Sequence, residues 1–310
     1  MRIVITEFMD EAAVATLAGR FDVVYDRDLV DRPDELQVQV ADADALIVRN
    51  RTSVDAALLA LAPQLRVVGR LGVGLDNIDV DACAKRGIEV IPATGANALA
   101  VAEYVIATML VLLRGAYQAT TDVAGGHWPR SMLSQGREAA GRTLGIVGYG
   151  NIGRLVGKLA RALGMRTIGF DPNIAATAAV WAEDATEPRA FAALMAEADV
   201  VTLHVPLTAA TRNLIDASRL ATMKRDAILI NTARGGVVDE AALATALRSG
   251  MLGGAALDVF DHEPLGLGSP LAGCPRLLLT PHIAGVTRES NARVSSLVAA
   301  RVSEALAARE

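Results

Sequence analysis

Cysteine and aromatic side chains are scarce in this 310-residue sequence, with two cysteines and 4% Phe, Trp and Tyr together. Cys83 and Cys274 are widely separated. They make neither a disulfide framework nor a metal-ligand spacing, which fits a reducing compartment and reads both as packing thiols. Basic runs are missing as well: the net charge is −5, and no stretch of Lys and Arg with interleaved aromatics marks a surface that neutralises phosphate backbone, so nucleic acid is not an expected partner. The most apolar stretch, residues 101–117, is broken by Glu103 and Arg114 and falls short of the ~20 residues that span a bilayer. The opening MRIVITEFMDE carries acids and lacks the basic-then-apolar order of a secretory signal. The expectation is a soluble, cytoplasmic protein with no metal and no membrane partner.

Aliphatic residues are plentiful, and 52% of the chain is hydrophobic, enough for more than one core. Short aliphatic runs alternate with Ala-rich segments of helical period, the pattern of parallel strands with crossover helices and hence of the α/β class. One series of predicted strands lies at 2–6, 21–25, 45–49, 66–69 and 89–91. A long apolar helix is predicted over 98–119, then an extended loop or arm over 125–142. A second series lies at 144–148, 166–171, 199–205, 227–231, 254–260 and 276–280, followed by a helix over 287–308 that could return to pack on the first lobe.

The second series opens with Gly148-Tyr149-Gly150-Asn151-Ile152-Gly153, directly after a strand and at the start of a helix. In that setting the first glycine permits a tight turn, the second lets backbone approach a pyrophosphate, and the third lets helix pack on strand. The next strand ends in Asp171, 18 residues beyond Gly153, where a carboxylate would accept hydrogen bonds from adenosine ribose hydroxyls and repel a 2′-phosphate. NAD is therefore the expected cofactor.

Ligands of open parallel sheets bind beyond the carboxyl ends of the strands. Four strands of this series finish in polar groups: His204; Thr232 and Arg234; Asp258 and Glu263; His282. Hydride transfer to a 2-oxo acid needs a proton donor, a cation for carboxylate and carbonyl, and a group that holds the donor. His282 suits the acid/base, Glu263 its ring N–H acceptor, and Arg234 the planar fork for a carboxylate. Asp258 would orient the nicotinamide carboxamide or a neighbouring polar group. His262 is a rival base, but adjacent side chains in extended structure point apart. His127 and His204 read as packing or cofactor-contact residues. Each of these residues taken singly also has an ordinary reading as a cap, turn acid or solvated side chain.

With these residues in hand, the chain resembles the D-isomer-specific 2-hydroxyacid dehydrogenases, most closely short phosphoglycerate-dehydrogenase-like members. The matching segments are RLGVGLDNID, GRTLGIVGYGNIGR, HVPLT, ILINTARGGVVDE, AALDVFDHEP and LTPHIAG, in the family's order. The resemblance implies two Rossmann-like lobes. A doubly wound NAD-binding domain, residues 98–285, is inserted in a smaller flavodoxin-like substrate domain, residues 1–97 plus 286–310. It implies Arg234, Glu263 and His282 as the catalytic trio. It also implies NAD contacts from Gly148, Gly150, Asn151, Ile152, Gly153, Asp171, His204, Val205, Pro206, Thr211, Thr232, Ala233, Arg234, Asp258, His282 and Gly285. Backbone amides of Gly72, Val73 and Gly74 would hold the substrate carboxylate. Residues 98–142 would pair two copies into a homodimer. The regulatory domain of longer phosphoglycerate dehydrogenases is not expected.

Arg49, Arg51 and Arg70 fall at first-series strand ends. The segment VRNRT is similar to the one that receives the phosphate-bearing end of substrate in phosphoglycerate dehydrogenases. The expected substrate is a small 2-hydroxy or 2-oxo acid with a second anionic group, phosphate or sulfonate, and the opening ITEFMDEAAV resembles sulfolactate dehydrogenases. A glyoxylate or hydroxypyruvate reductase and a non-enzymatic NAD-sensing corepressor remain as alternatives.

Overall fold

The computed structural model describes residues 1–308, and the chain divides into two compact units: Met1–Asn97 with the chain from Val286 onward, and Ala98–Gly285. The first unit holds a five-stranded parallel sheet of β1 (Arg2–Ile5), β2 (Asp22–Tyr25), β3 (Ala45–Val48), β4 (Val67–Arg70) and β5 (Glu89–Pro92), in the order β2-β1-β3-β4-β5. Every residue of β3 is buried, as expected for a parallel strand covered on both faces, where apolar runs replace alternation. The helix Arg288–Ala307 is N-capped by Thr287, which accepts from the Ser290 amide. Its Val294, Val298, Val302 and Leu306 recur every fourth residue and are buried with Ile3, Ile5 and Val67. Glycine at position 69 of β4 admits this helix, because a Cβ there would lie 2.8 Å from Val298 and 2.9 Å from Val302. The C-terminal helix thus completes the core of the first unit.

The second unit holds a seven-stranded parallel sheet. Its strands are β6 (Thr143–Val147), β7 (Arg166–Phe170), β8 (Glu187–Pro188), β9 (Val200–Leu203), β10 (Ile228–Asn231), β11 (Gly254–Leu257) and β12 (Leu277–Leu279), in the order β12-β11-β10-β9-β6-β7-β8. The winding reverses between β6 and β9, the place where doubly wound sheets bind ligands. The helix Ala98–Arg114 buries Val101, Val105, Met109 and Leu112 and packs on the helix Asn151–Ala162.

It ends sooner than the pattern predicts, at Arg114, where Gly115 adopts φ +63°. The last residues of the expected helix form a 3₁₀ turn, Tyr117–Ala119; a short helix, Thr120–Ala124, follows it, and a further short helix, Arg130–Leu133, lies within the predicted arm. Strand β8, of two residues, carries no periodic signal and was not legible in the sequence. Among the described residues no helix is long and apolar enough to cross a membrane, and no His, Cys, Asp and Glu group could hold a metal ion.

Candidate active site

The turn after β6 is built from glycines that differ in what surrounds them. Gly148 has φ +89°, and a Cβ on it would strike the His204 carbonyl; a Cβ on Gly153 would strike the Gly148 carbonyl. Gly150 is different: a Cβ there would meet nothing within 4 Å. It is also the N-cap of Asn151–Ala162, with no side chain capping the first turn, so backbone N–H groups stand at a helix end that favours anions. Asp171 directly follows β7. One carboxylate oxygen accepts from the Tyr149 amide at 2.9 Å and the other from the Asn173 amide at 2.9 Å.

On the other side of the switch point, the His204 amide donates to Val147 O at 2.7 Å, tying β9 to β6. The His204 ring contacts Thr202 Oγ1 through Nε2 at 3.0 Å, and burial pushes it down to about 3. It therefore stays neutral at working pH and is unsuited to carry the reaction's proton. Val205 and Pro206 lead into a loop closed by Thr211, whose hydroxyl donates to Pro206 O at 2.6 Å and accepts from the Thr208 amide at 2.8 Å.

Beyond β10, buried Asn231 staples the loop that carries Thr232, Ala233 and Arg234. Its Oδ1 accepts from the Ala233 amide at 3.0 Å, and its Nδ2 donates to Arg234 O at 2.9 Å. Glycine at 235 lets this loop touch the one after β11, since a Cβ would strike the Phe260 carbonyl. In that neighbouring loop Glu263 Oε1 accepts from the Phe260 amide at 3.1 Å, and Oε2 lies 2.7 Å from His282 Nδ1. Both oxygens are therefore assigned. The contact makes Nδ1 a donor and leaves Nε2 as the nitrogen free to exchange a proton. His262, the rival base, makes no such contact with Glu263.

His282 occupies the left-handed region, φ +55°, which costs a residue with a Cβ on the order of 1 kcal/mol. Asp258 holds it there. This carboxylate, 1% exposed, accepts from the Thr280 hydroxyl at 2.6 Å and from the Ile283 and Ala284 amides at 2.9 and 2.7 Å, while its carbonyl accepts from the His282 amide at 2.8 Å. Gly285 ends this loop. Of the readings open to Asp258 in the sequence, the structure shows the one in which it holds neighbouring polar groups, here latching the loop that presents the imidazole.

In the first unit the segment after β3 wraps around Glu7, a carboxylate 4% exposed. It accepts from the amides of Arg49 (2.9 Å), Asn50 (3.3 Å), Arg51 (3.1 Å) and Thr52 (3.0 Å). Arg49 is half-buried, donates to Asn291 Oδ1 at 3.1 Å, and is in no ion pair among the described residues. Burial pushes its guanidinium below the ordinary value, with nearby Glu7 opposing. Arg51 is exposed and paired with Asp31. Arg70 ends β4, and its guanidinium lies where a Cβ on Gly72 would fall. The Gly72 amide donates to Arg70 O at 2.8 Å, which removes one of the three amides expected to bind substrate; Val73 and Gly74 follow in the same loop.

Residues 106–284 match the family described as D-isomer specific 2-hydroxyacid dehydrogenase, NAD binding domain. The chain is 53% identical to (S)-sulfolactate dehydrogenase of Chromohalobacter salexigens over 99% of each protein. The chain belongs to the D-isomer-specific 2-hydroxyacid dehydrogenases. It is also 41% identical to D-3-phosphoglycerate dehydrogenase of Mycobacterium leprae, matching 98% of this chain but 57% of that protein. Among solved structures it is similar to D-lactate dehydrogenase from Aquifex aeolicus complexed with NAD and lactic acid, with TM-score 0.85, 28% identity, and 99% and 96% of the two chains covered.

This dehydrogenase is an oxidoreductase that uses NAD. Its own residues fit that cofactor: open space over Gly150, an uncapped helix N-terminus, and a buried Thr232 hydroxyl with no partner among the described residues. Asn231 and Glu7 are among the contributors that the sequence does not single out. Asn231 reads as the last residue of a strand, and Glu7 as an acid near the N-terminus; the only signal for either is a polar side chain at the carboxyl end of a buried parallel strand.

Proposed function

We propose that this dehydrogenase interconverts a D-type 2-hydroxy acid and its 2-oxo acid, and that the substrate carries a second anion at C3, a sulfonate before a phosphate. The observation that carries this reading is Arg49: a half-buried guanidinium after β3, oriented by Asn291 and free of any carboxylate partner among the described residues. The full-length likeness to a sulfolactate dehydrogenase supports sulfonate over phosphate. Arg51 contributes less, because Asp31 already engages it in solvent. The S label of that relative agrees with a D-type reading, since sulfur on C3 outranks the carboxylate and inverts the descriptor without moving any atom.

In the reductive direction NADH, when bound, supplies the hydride to C2. Arg234 offers parallel N–H donors to the substrate carboxylate and the carbonyl oxygen, whose developing charge it stabilises. His282 gives the proton from Nε2, and Glu263 holds Nδ1 and favours the charged ring during transfer. The remaining cofactor contacts proposed are those of the Gly148–Gly153 turn with Asn151 and Ile152, Asp171, the 204–206 segment, Thr211, the 232–234 loop, Asp258 and Gly285. Arg70 and the amides of Val73 and Gly74 are assigned to the substrate carboxylate, the Gly72 amide being held by Arg70 O.

Two copies are proposed to pair through residues 98–142. Tyr117, Trp128 and Met132 are 67%, 77% and 67% exposed, more apolar surface than a short arm keeps without a partner. Light scattering at micromolar protein would give the dimer mass. Both cysteines are free thiols, which suits a cytoplasmic setting.

The deciding experiment is NADH oxidation against sulfopyruvate, phosphohydroxypyruvate, hydroxypyruvate, glyoxylate and pyruvate. The proposal expects the highest kcat/KM with sulfopyruvate. Equal or higher values for glyoxylate or hydroxypyruvate would replace it with a reductase that needs no second anion.

A further inference from the structure

Tyr104 lies in the second turn of the helix Ala98–Arg114 and was not singled out by any motif. Its hydroxyl is 2.5 Å from Thr280 Oγ1, and Thr280 in turn donates to Asp258 Oδ1 at 2.6 Å. The direction of this chain follows from counting protons. A carboxylate only accepts, so the single Thr280 hydroxyl proton goes to Asp258, and the Tyr104 hydroxyl must donate to Thr280. Burial pushes the Tyr104 hydroxyl above its ordinary value, so it keeps that proton. The terminus of the chain is the carboxylate that binds the Ile283 and Ala284 amides on one flank of His282, while the Asp258 and Thr280 carbonyls both accept from the His282 amide, at 2.8 and 3.0 Å.

We infer that Tyr104 is a positioning residue for the acid/base: through Thr280 it fixes the Asp258 carboxylate, which clamps the left-handed backbone of His282 and so aims its ring at Glu263 and at substrate. Hydrogen bonds in such a directed chain polarise one another, and each also removes a rotational freedom from the next member. Without the Tyr104 proton, the Thr280 hydroxyl keeps only its bond to Asp258 and gains freedom to swing, and the clamp on a strained residue loosens. Small displacements of a reacting group are costly to rate even when binding is intact. The inference rests on the reading of His282 as the acid/base.

The test is a double-mutant cycle on the full-length enzyme with its best 2-oxo acid. Tyr104→Phe is expected to lower kcat about five-fold, with NADH Kd unchanged, Tm lowered by no more than a few degrees, and a larger primary isotope effect from 4-deuterated NADH. Thr280→Val should cost more, and Thr280→Ser, which keeps the hydroxyl, should recover most of the loss. On the Thr280→Val background Tyr104→Phe should add nothing, because its influence runs through that hydroxyl. Multiplying losses in the double variant, or a Tyr104→Phe enzyme with wild-type kcat and isotope effect, would overturn the relay. The underlying reading fails separately, if His282→Gln keeps full turnover.

Discussion

Glu7 and Asp258 make an instructive pair. Each is a buried carboxylate just past a strand, β1 in one unit and β11 in the other, and each reaches to the loop beyond the neighbouring strand, β3 or β12. Glu7 collects amides from four consecutive residues and leaves their backbone unstrained; Asp258 collects two amides and a hydroxyl and holds a residue at φ +55°. The loops they hold also differ in what they present. In the proposed mechanism one carries a guanidinium that binds substrate, the other an imidazole that gives and takes a proton. A binding group tolerates some slack, whereas a proton donor does not, and the tighter, strained clamp sits under the donor.

The largest test of that contrast is His282→Gln, which should lower kcat by about a thousandfold while NADH still binds, as fluorescence titration would show. Next come the two clamps themselves. Asp258→Asn is expected to lower kcat by roughly a hundredfold for every 2-oxo acid, as steady-state kinetics would show. Glu7→Gln, by contrast, should raise KM about tenfold for the sulfonate substrate alone. Equal effects of the two substitutions on kcat would erase the difference between the loops.

The glycines of the turn after β6 give a smaller pair. Gly150→Ala should fold with wild-type Tm and weaken NADH binding, because its Cβ would enter space that is open in the protein. Gly153→Ala should lose stability outright, by about 1–3 kcal/mol in urea unfolding. The smallest effect concerns His204. Burial holds it at about 3 against an ordinary 6.5, so the unfolded chain takes up a proton that the folded one refuses. This group's contribution to stability is thus present in full above pH 6.5 and lost progressively down to about pH 3. His204→Asn should flatten that part of the urea midpoint's pH dependence.

Much of the second unit was legible in the sequence because its functional residues are tied to sharp local signals: glycines between a strand and a helix, Asp171 ending the next strand, and His282 after Pro281 at another strand's end. The pairing of Glu263 with His282 was inferable from the single rule that parallel strands deliver their carboxyl ends to one edge. The clamps were not legible. Glu7 acts on residues more than 40 positions away, Thr280 and Tyr104 meet across 176, and nothing local distinguishes a hydroxyl that completes such a chain from one in solvent. Arg49 and Arg51 looked equivalent in VRNRT; only burial and the Asp31 partner separate them. The helix over 98–119 was overextended because its apolar period continues past Gly115, where the backbone turns left-handed.

The division of labour between a recognising guanidinium and a reacting imidazole is tested most directly by one ratio, kcat/KM for sulfopyruvate over that for pyruvate, measured in Arg49→Met and His282→Gln beside the wild type. The account predicts that Arg49→Met lowers this ratio by about ten- to a hundredfold while His282→Gln leaves it unchanged on a far lower rate. An Arg49→Met enzyme that loses activity equally toward both acids would contradict it.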